Sequence, residues 1–172
     1  MAANRKPEFA DRQDADRQDA HRQDDRVLVI TRVFDAPPSA VFKAWRDPAA
    51  ARSWMGPRGF TATHIEGDLR PGGAWRLCLR RDEDGKELWQ GGVYREIVEP
   101  ERLVFTSAAL DEKGKALFEV LTTVSFDEQG GKTKLTLRAS VAKATAEAAP
   151  YLAGMEVGWN QSLDRLGRQV ES

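Results

Sequence analysis

The sequence is poor in the residues that most often carry chemistry or covalent constraint. It has one cysteine, two histidines and two tyrosines in 172 residues. A single cysteine, Cys78, closes no internal disulfide, which excludes a stapled secreted scaffold. Two histidines and one cysteine are too few for the usual zinc or transition-metal ligand sets. No apolar run approaches the roughly 18–20 residues that span a bilayer, and the first residues lack the apolar stretch of a signal peptide. Neither sign of charge is in excess, with 26 Lys and Arg against 27 Asp and Glu. That balance gives no general pull toward nucleic-acid phosphates. HExxH, CxxC, P-loop, GxSxG and GxGxxG patterns are all missing. The expectation is a soluble, reduced, cytoplasmic protein of one domain, with no cofactor, no metal, no nucleic-acid partner and no membrane span.

What is present divides into two parts. Residues 1–25 carry five basic and seven acidic side chains, leaving 21 of the 26 basic and 20 of the 27 acidic residues to the remainder. A five-residue unit recurs there as Asp11-Arg-Gln-Asp-Ala15, Asp16-Arg-Gln-Asp-Ala20 and His21-Arg-Gln-Asp-Asp25. A period of five steps about 140° around a helix, so no face repeats. With almost no large apolar residue, nothing offsets the entropy of ordering. Residues 1–25 are therefore expected to be a disordered or marginally helical tail, and His21 belongs to that repeat. The folded domain is expected over 26–172.

Residues 26–35 are β-branched (Val27, Val29, Ile30, Thr31, Val33) and read as a strand. Pro37-Pro38 ends it, and Pro38 suits a first helical turn for the stripe Val41, Phe42, Ala44, Trp45. Asp47-Pro48 reads as N-cap and first position of a second helix, which Gly56-Pro57 closes after Trp54. Six strand-like segments follow at about 60–69, 74–81, 87–98, 102–109, 117–126 and 133–141. The turn signals Pro71-Gly72-Gly73, Asp84-Gly85, Glu99-Pro100, Lys113-Gly114 and Gly130-Gly131 separate them. Such short connections favour antiparallel neighbours. Trp75, Leu77 and Leu79 alternate with Arg76, Cys78 and Arg80, so the sheet has one apolar face and needs one cover. The cover is a helix from Pro150 to about Gln169, with Leu152, Met155, Trp159, Leu163, Leu166 and Val170 as its stripe. The fold class is α+β: a curved antiparallel seven-stranded sheet, in the order β-α-α-β6-α, wrapped around a long C-terminal helix.

Blocks of residues in this order resemble a known family. They are Ile30-Thr-Arg-Val-Phe-Asp-Ala-Pro37, Val41-Phe-Lys-Ala-Trp45, Trp54-Met-Gly-Pro57 with Gly59-Phe60, and Gly67-Asp-Leu-Arg-Pro-Gly-Gly-Ala-Trp-Arg76. Gly92-Val-Tyr-Arg-Glu-Ile97, Pro100-Glu-Arg-Leu-Val-Phe-Thr106 and Gly158-Trp-Asn-Gln-Ser-Leu-Asp-Arg-Leu166 continue the series. The chain is similar to the START-like (SRPBCC, birch-pollen-allergen-like, helix-grip) superfamily and, within it, to the Hsp-ninety ATPase activator homologue family. One departure is Met55, where that family often has a second tryptophan. The resemblance covers about 28–168 and implies a deep apolar cavity between sheet and final helix. Fold alone does not fix an activity.

Five tryptophans are many for one small domain, and aromatic walls with few polar groups are the usual form of a small-molecule site. The expected cavity residues are Trp54, Met55, Phe60, Trp75, Leu77, Leu79, Phe105, Val120, Met155 and Trp159, with Trp54 and Trp159 foremost. Tyr94 and Tyr151 are the polar candidates, and no catalytic residue is assigned. Gly154 and Gly158, four apart on the final helix, mean either close approach to the sheet or room for a ligand. His64, Glu66 and Asp68 share a strand face and read as a solvated row rather than a metal or acid–base cluster. Asp68 and Arg70 read as a surface ion pair flanking a turn, and Arg32 as a partner for a carboxylate such as Glu96. Cys78 is expected outward or at a sheet edge. Binding of a hydrophobic or aromatic small molecule is the first functional expectation. The alternatives are a cyclase-, aromatase- or hydrolase-like enzyme and a chaperone-associated interaction module. A homodimer is left open.

Overall fold

The computed structural model describes residues 27–110, 113–116, 118–144 and 153–171. The charged repeat of 1–25, the helix start expected at Pro150, and Tyr151 lie outside the described residues.

The chain runs β1 (Val27–Phe34), α1 (Pro38–Arg46), α2 (Pro48–Trp54), β2 (Phe60–Gly67), β3 (Ala74–Arg81), β4 (Glu87–Val98) and β5 (Arg102–Ala109). It ends with β6 (Phe118–Gln129), β7 (Lys132–Ala144) and α3 (Met155–Val170). All seven strands join one antiparallel sheet in the order β1-β7-β6-β5-β4-β3-β2. The two helices after β1 thus carry the chain from one sheet edge to the other, and hairpins then build the sheet back. The expected α+β helix-grip architecture is what forms.

Local chemistry accounts for the boundaries. The Asp47 side chain accepts a hydrogen bond from Ala49 N at 3.0 Å and caps α2, with Pro48 at its first position. β6 and β7 run about three residues further than their composition suggests. At the turn, Gly130 (φ 59°) and Gly131 (φ 86°) both take the left-handed region, so β6 pairs on to Gln129 opposite Lys132, while the extra length of β7 is at its other end, where Ala144 pairs with Phe118. In β2 a register shift between Ala62 and His64 inserts one extra residue, which returns Ile65 to the inner face opposite Leu77.

The core is unevenly distributed. Phe34, Phe42, Trp54, Leu135, Leu137, Leu163 and Leu166 are fully buried where α1 packs on β6 and β7, α3 packs on β1, and α2 packs against both helices. Ala62, Leu77 and Leu79 form a separate small cluster on β2 and β3. The first half of α3 seals nothing to the sheet: Met155, Gly158 and Trp159 are half-buried and Val157 is exposed. Gly167 lies in the packed half, where an added Cβ would stand 3.4 Å from the Phe34 ring.

Three sequence expectations change. Arg32 pairs with Asp164 of α3, not with Glu96, because α3 crosses the inner face of β1; Glu96 pairs with Arg102 beside it. Cys78 faces away from the helix but is fully buried, because the rings of its register neighbours His64 and Trp89 close over it, 5.6 Å apart. Asp68 lies beyond the end of β2 and does not join His64 and Glu66. It pairs with Arg70 at 2.6 Å, while His64 and Glu66 pair at 3.2 Å. Among the described residues no cluster of His, Cys, Asp or Glu has metal-holding geometry. No described helix is long and apolar enough to cross a membrane.

Candidate ligand-binding cavity

Between the two core clusters lies a cavity of about 960 Å³, at the upper end of the roughly 300–1,000 Å³ usual for small-molecule sites. Alternation along the strands builds its floor. Trp75, Leu77 and Leu79 come from β3, Leu88, Gln90 and Tyr94 from β4, Phe105, Ser107 and Ala109 from β5, and Phe118, Val120 and Thr122 from β6. Register aligns them: Leu77 opposite Gln90, Leu79 opposite Leu88, Tyr94 opposite Phe105, and Phe105 opposite Thr122. Residues paired across antiparallel strands share a face, so one polar inner position brings its neighbour to the same space. Met155, Gly158, Trp159 and Ser162 of α3 form the roof, and Trp45, Ala51 and Met55 close the α1–α2 end.

The loop after α2 is tied to α3, which holds Met55 and Phe60 at the wall. Gly56 N donates to Ser162 Oγ at 3.1 Å, Arg58 N donates to Gln161 Oε1 at 2.9 Å, and Arg165 Nη1 donates to Phe60 O at 3.3 Å. Trp75 is placed by a gap in β4. Its register partner is Gly92, and with no side chain there the indole N–H reaches across to Thr106 O at 3.0 Å. The approach is so close that a Cβ on Gly92 would stand 1.8 Å from that same carbonyl oxygen. Tyr94 is clamped at its backbone by the Pro71-Gly72-Gly73 turn, Gly72 N donating to Tyr94 O at 2.8 Å and Tyr94 N to Gly73 O at 2.9 Å.

Nine of the ten apolar residues expected to line a cavity do so: Met55, Phe60, Trp75, Leu77, Leu79, Phe105, Val120, Met155 and Trp159. Trp54 does not. It is fully buried behind Trp45, the two rings 4.9 Å apart, and its N–H donates to Ala44 O at 3.0 Å. The aromatic at that end of the wall is Trp45, stacked on Trp159 at 5.7 Å and 20°. Sequence reading placed Trp45 only in a helical stripe. Its N–H is buried with no hydrogen-bond partner. Gln90, Ser107 and Thr122 were also missed, although strand alternation from Leu77 and Phe105 leads to them. A Cβ on Gly158 would meet nothing within 4 Å, so this glycine opens space beside the helix instead of permitting contact with the sheet.

Charge is kept to the margins. Arg46 is paired with Glu99 at 3.1 Å and Glu66 with His64, while Lys86, Glu87 and Lys113 are exposed. Burial pushes the Tyr94 phenol above its ordinary pKa of 10.0, so it stays protonated. A row of neutral donors and acceptors on an apolar wall can orient a molecule, but an acid–base pair needs two titratable groups within reach of one another.

Comparison with known proteins places this geometry in context. A family model described as "Activator of Hsp90 ATPase homolog 1-like protein" matches residues 35–171. Protein CV1439 from Chromobacterium violaceum has a similar structure, with a TM-score of 0.73 and 28% identity, covering 86% of this chain and 99% of that one. A Rhizobium leguminosarum protein is 31% identical with a TM-score of 0.66, covering 85% of this chain and 94% of its own. The AHSA1 protein SPO3351 from Silicibacter pomeroyi is 24% identical with a TM-score of 0.69, covering 84% and 96%. No curated protein matches this chain.

Proposed function

This chain belongs to the Activator of Hsp90 ATPase homolog 1-like protein family, and from that premise we propose that it binds one hydrophobic or aromatic small molecule in the cavity under α3 without transforming it. Helix-grip domains commonly bind ligands or partners. The observation that carries the proposal is the size of the cavity together with its apolar wall. An apolar wall in contact with water favours a ligand that displaces that water. A cytoplasmic location belongs to the same proposal, supported by the unpaired, buried Cys78.

The test is titration of the purified chain with a panel of lipophilic probes, followed by tryptophan fluorescence and native mass spectrometry. Trp45, Trp75 and Trp159 are on the wall, so a bound probe quenches or shifts emission. A panel that leaves the emission unchanged would overturn the proposal. Recovery of a bound ligand in chemically altered form would overturn its non-catalytic part in favour of a cyclase- or hydrolase-like enzyme.

A second reading, a chaperone-associated module, draws on the family description and on the outer face of β1, where Val27, Val29 and Val33 are exposed. It requires capture of the host's Hsp90 by the intact chain, and substitution of Val29 by Asp should abolish that capture.

A further inference from the structure

Outside the cavity, α2, the loop after it and the second half of α3 meet on one outer face, and we propose that this face docks an acidic peptide segment of a partner protein, with Arg52, Arg58, Arg165 and Arg168 reading its carboxylates. Contacts between the elements bring the four side chains together. Arg58 N donates to Gln161 Oε1 at 2.9 Å, which sets the loop against α3. Arg165 stands one helical turn beyond Gln161, and its Nη1 donates to Phe60 O at 3.3 Å. Gln161, Arg165 and Arg168 are four and three residues apart and share one stripe of α3. Arg52 is in the last turn of α2, which Gln169 Nε2 joins to the same side of α3 by donating to Ala50 O at 3.3 Å. Arg52, Arg58 and Arg168 are exposed and Arg165 is half-buried.

The face carries positive charge that the fold does not answer. Arg32, Arg46, Arg70, Arg81 and Arg102 each hold a carboxylate, whereas none of these four has an ion pair among the described residues. The carboxylates on and beside the same elements are engaged elsewhere. Asp47 caps α2 through Ala49 N, Asp164 is held by Arg32, Glu171 accepts from Asp35 N, and Asp82 accepts from Thr61 Oγ1. Like charges gathered on one face repel one another, so an arriving carboxylate both relieves that repulsion and takes up free guanidinium donors. The surroundings select a peptide among anionic partners. The folded part has 21 basic against 20 acidic residues, without the broad excess that a nucleic-acid backbone calls for. No exposed large apolar side chain lies on α2, its loop or the second half of α3 among the described residues, so nothing there would enter a bilayer.

The experiment titrates the full chain into a short fluorescein-labelled oligoglutamate peptide and follows anisotropy at ~50 mM and ~200 mM salt. The expected result is saturable binding that weakens severalfold at the higher salt. Arg52→Glu combined with Arg168→Glu should weaken it at least about tenfold; neither side chain makes a described hydrogen bond, and thermal unfolding checks that the fold is kept. Arg58→Glu combined with Arg165→Glu should do the same. Arg95→Glu combined with Arg138→Glu makes an equal change of charge on β4 and β7, and should alter affinity less than about twofold. Absence of binding at low salt, binding that survives the Arg52 and Arg168 pair, or an equal loss in the β4 and β7 pair would overturn the proposal. Tighter binding to phosphatidylglycerol vesicles than to the peptide would overturn it in favour of a lipid surface.

Discussion

Replacing Gly158 separates a cavity from a tight helix–sheet contact. Gly158 lies in the first half of α3, and a Cβ built on it has no neighbour within 4 Å. An alanine there gains helix propensity, about 1 kcal/mol, with nothing to collide with. For a domain of this size that gain raises Tm by about 2–4 °C. Gly167 on the same helix is the control. Its Cβ would press on the buried Phe34 ring at 3.4 Å, so overpacking offsets the propensity gain and Tm should stay level or fall. Circular dichroism through thermal unfolding, with urea titration alongside, reads both variants. Gly158→Leu extends the test to function, because the side chain enters the space a ligand would use. Stability should be kept while affinity for fluorene, used as an apolar probe, drops at least about tenfold, the equivalent of about 1.4 kcal/mol. A loss of more than about 1 kcal/mol in Gly158→Ala would show that the helix touches the sheet at this point, and the cavity argument would fail. Unchanged fluorene affinity in Gly158→Leu would show that a ligand does not use this end.

Other substitutions probe separate links of the argument. Gly92→Ala drives a Cβ to 1.8 Å from the Thr106 carbonyl oxygen and should cost about 3 kcal/mol or more; a urea midpoint near wild type would refute the close approach. Trp54→Ala empties a fully buried site and should cost about 3–5 kcal/mol, whereas Met55→Ala should cost about 1 kcal/mol and weaken probe binding; the reverse ranking would undo the assignment of core and wall. Arg32→Ala removes a part-exposed ion pair with Asp164, worth about 0.5–1 kcal/mol at low salt and less at high salt. Burial raises the Tyr94 pKa above 10.0, so above that pH the native state keeps a proton the unfolded chain has lost, and stability falls as pH rises. Spectrophotometric titration should show a late tyrosinate component that Tyr94→Phe abolishes, and a single ordinary step in the wild type would contradict the buried placement.

Much of the fold was legible because its signals are local. Asp47-Pro48 announces a capped helix, Gly130-Gly131 a two-residue hairpin, and Trp75, Leu77 and Leu79 a strand with one apolar face. What escaped depends on residues distant in the chain. Arg32 finds Asp164 because α3 crosses β1, a contact 132 residues away that no spacing predicts. Cys78 is buried on the outer face because His64 and Trp89, on two different strands, meet above it. The shift between Ala62 and His64 places Ile65 inward, and strict alternation gives no sign of it.

The site shows the same limit in a sharper form, since core and cavity draw on one vocabulary of side chains. Trp54 and Met55 are adjacent, yet one is sealed behind Trp45 and the other faces the open space. Their residue types do not separate them; the turn that ends α2 at Trp54 does. The cavity itself follows from what α3 omits. Its second half offers Leu163 and Leu166, which fill the space above β1 and β7, and Gly167, which lets Phe34 close in. Its first half offers Met155, Gly158, Trp159 and Ser162 over β3 to β6, with nothing at Gly158 to reach the sheet. One continuous helix is therefore a plug at one end and a roof at the other. Large aromatic residues on the facing strands mark a wall only where the helix above them leaves a gap, as it does at Gly158.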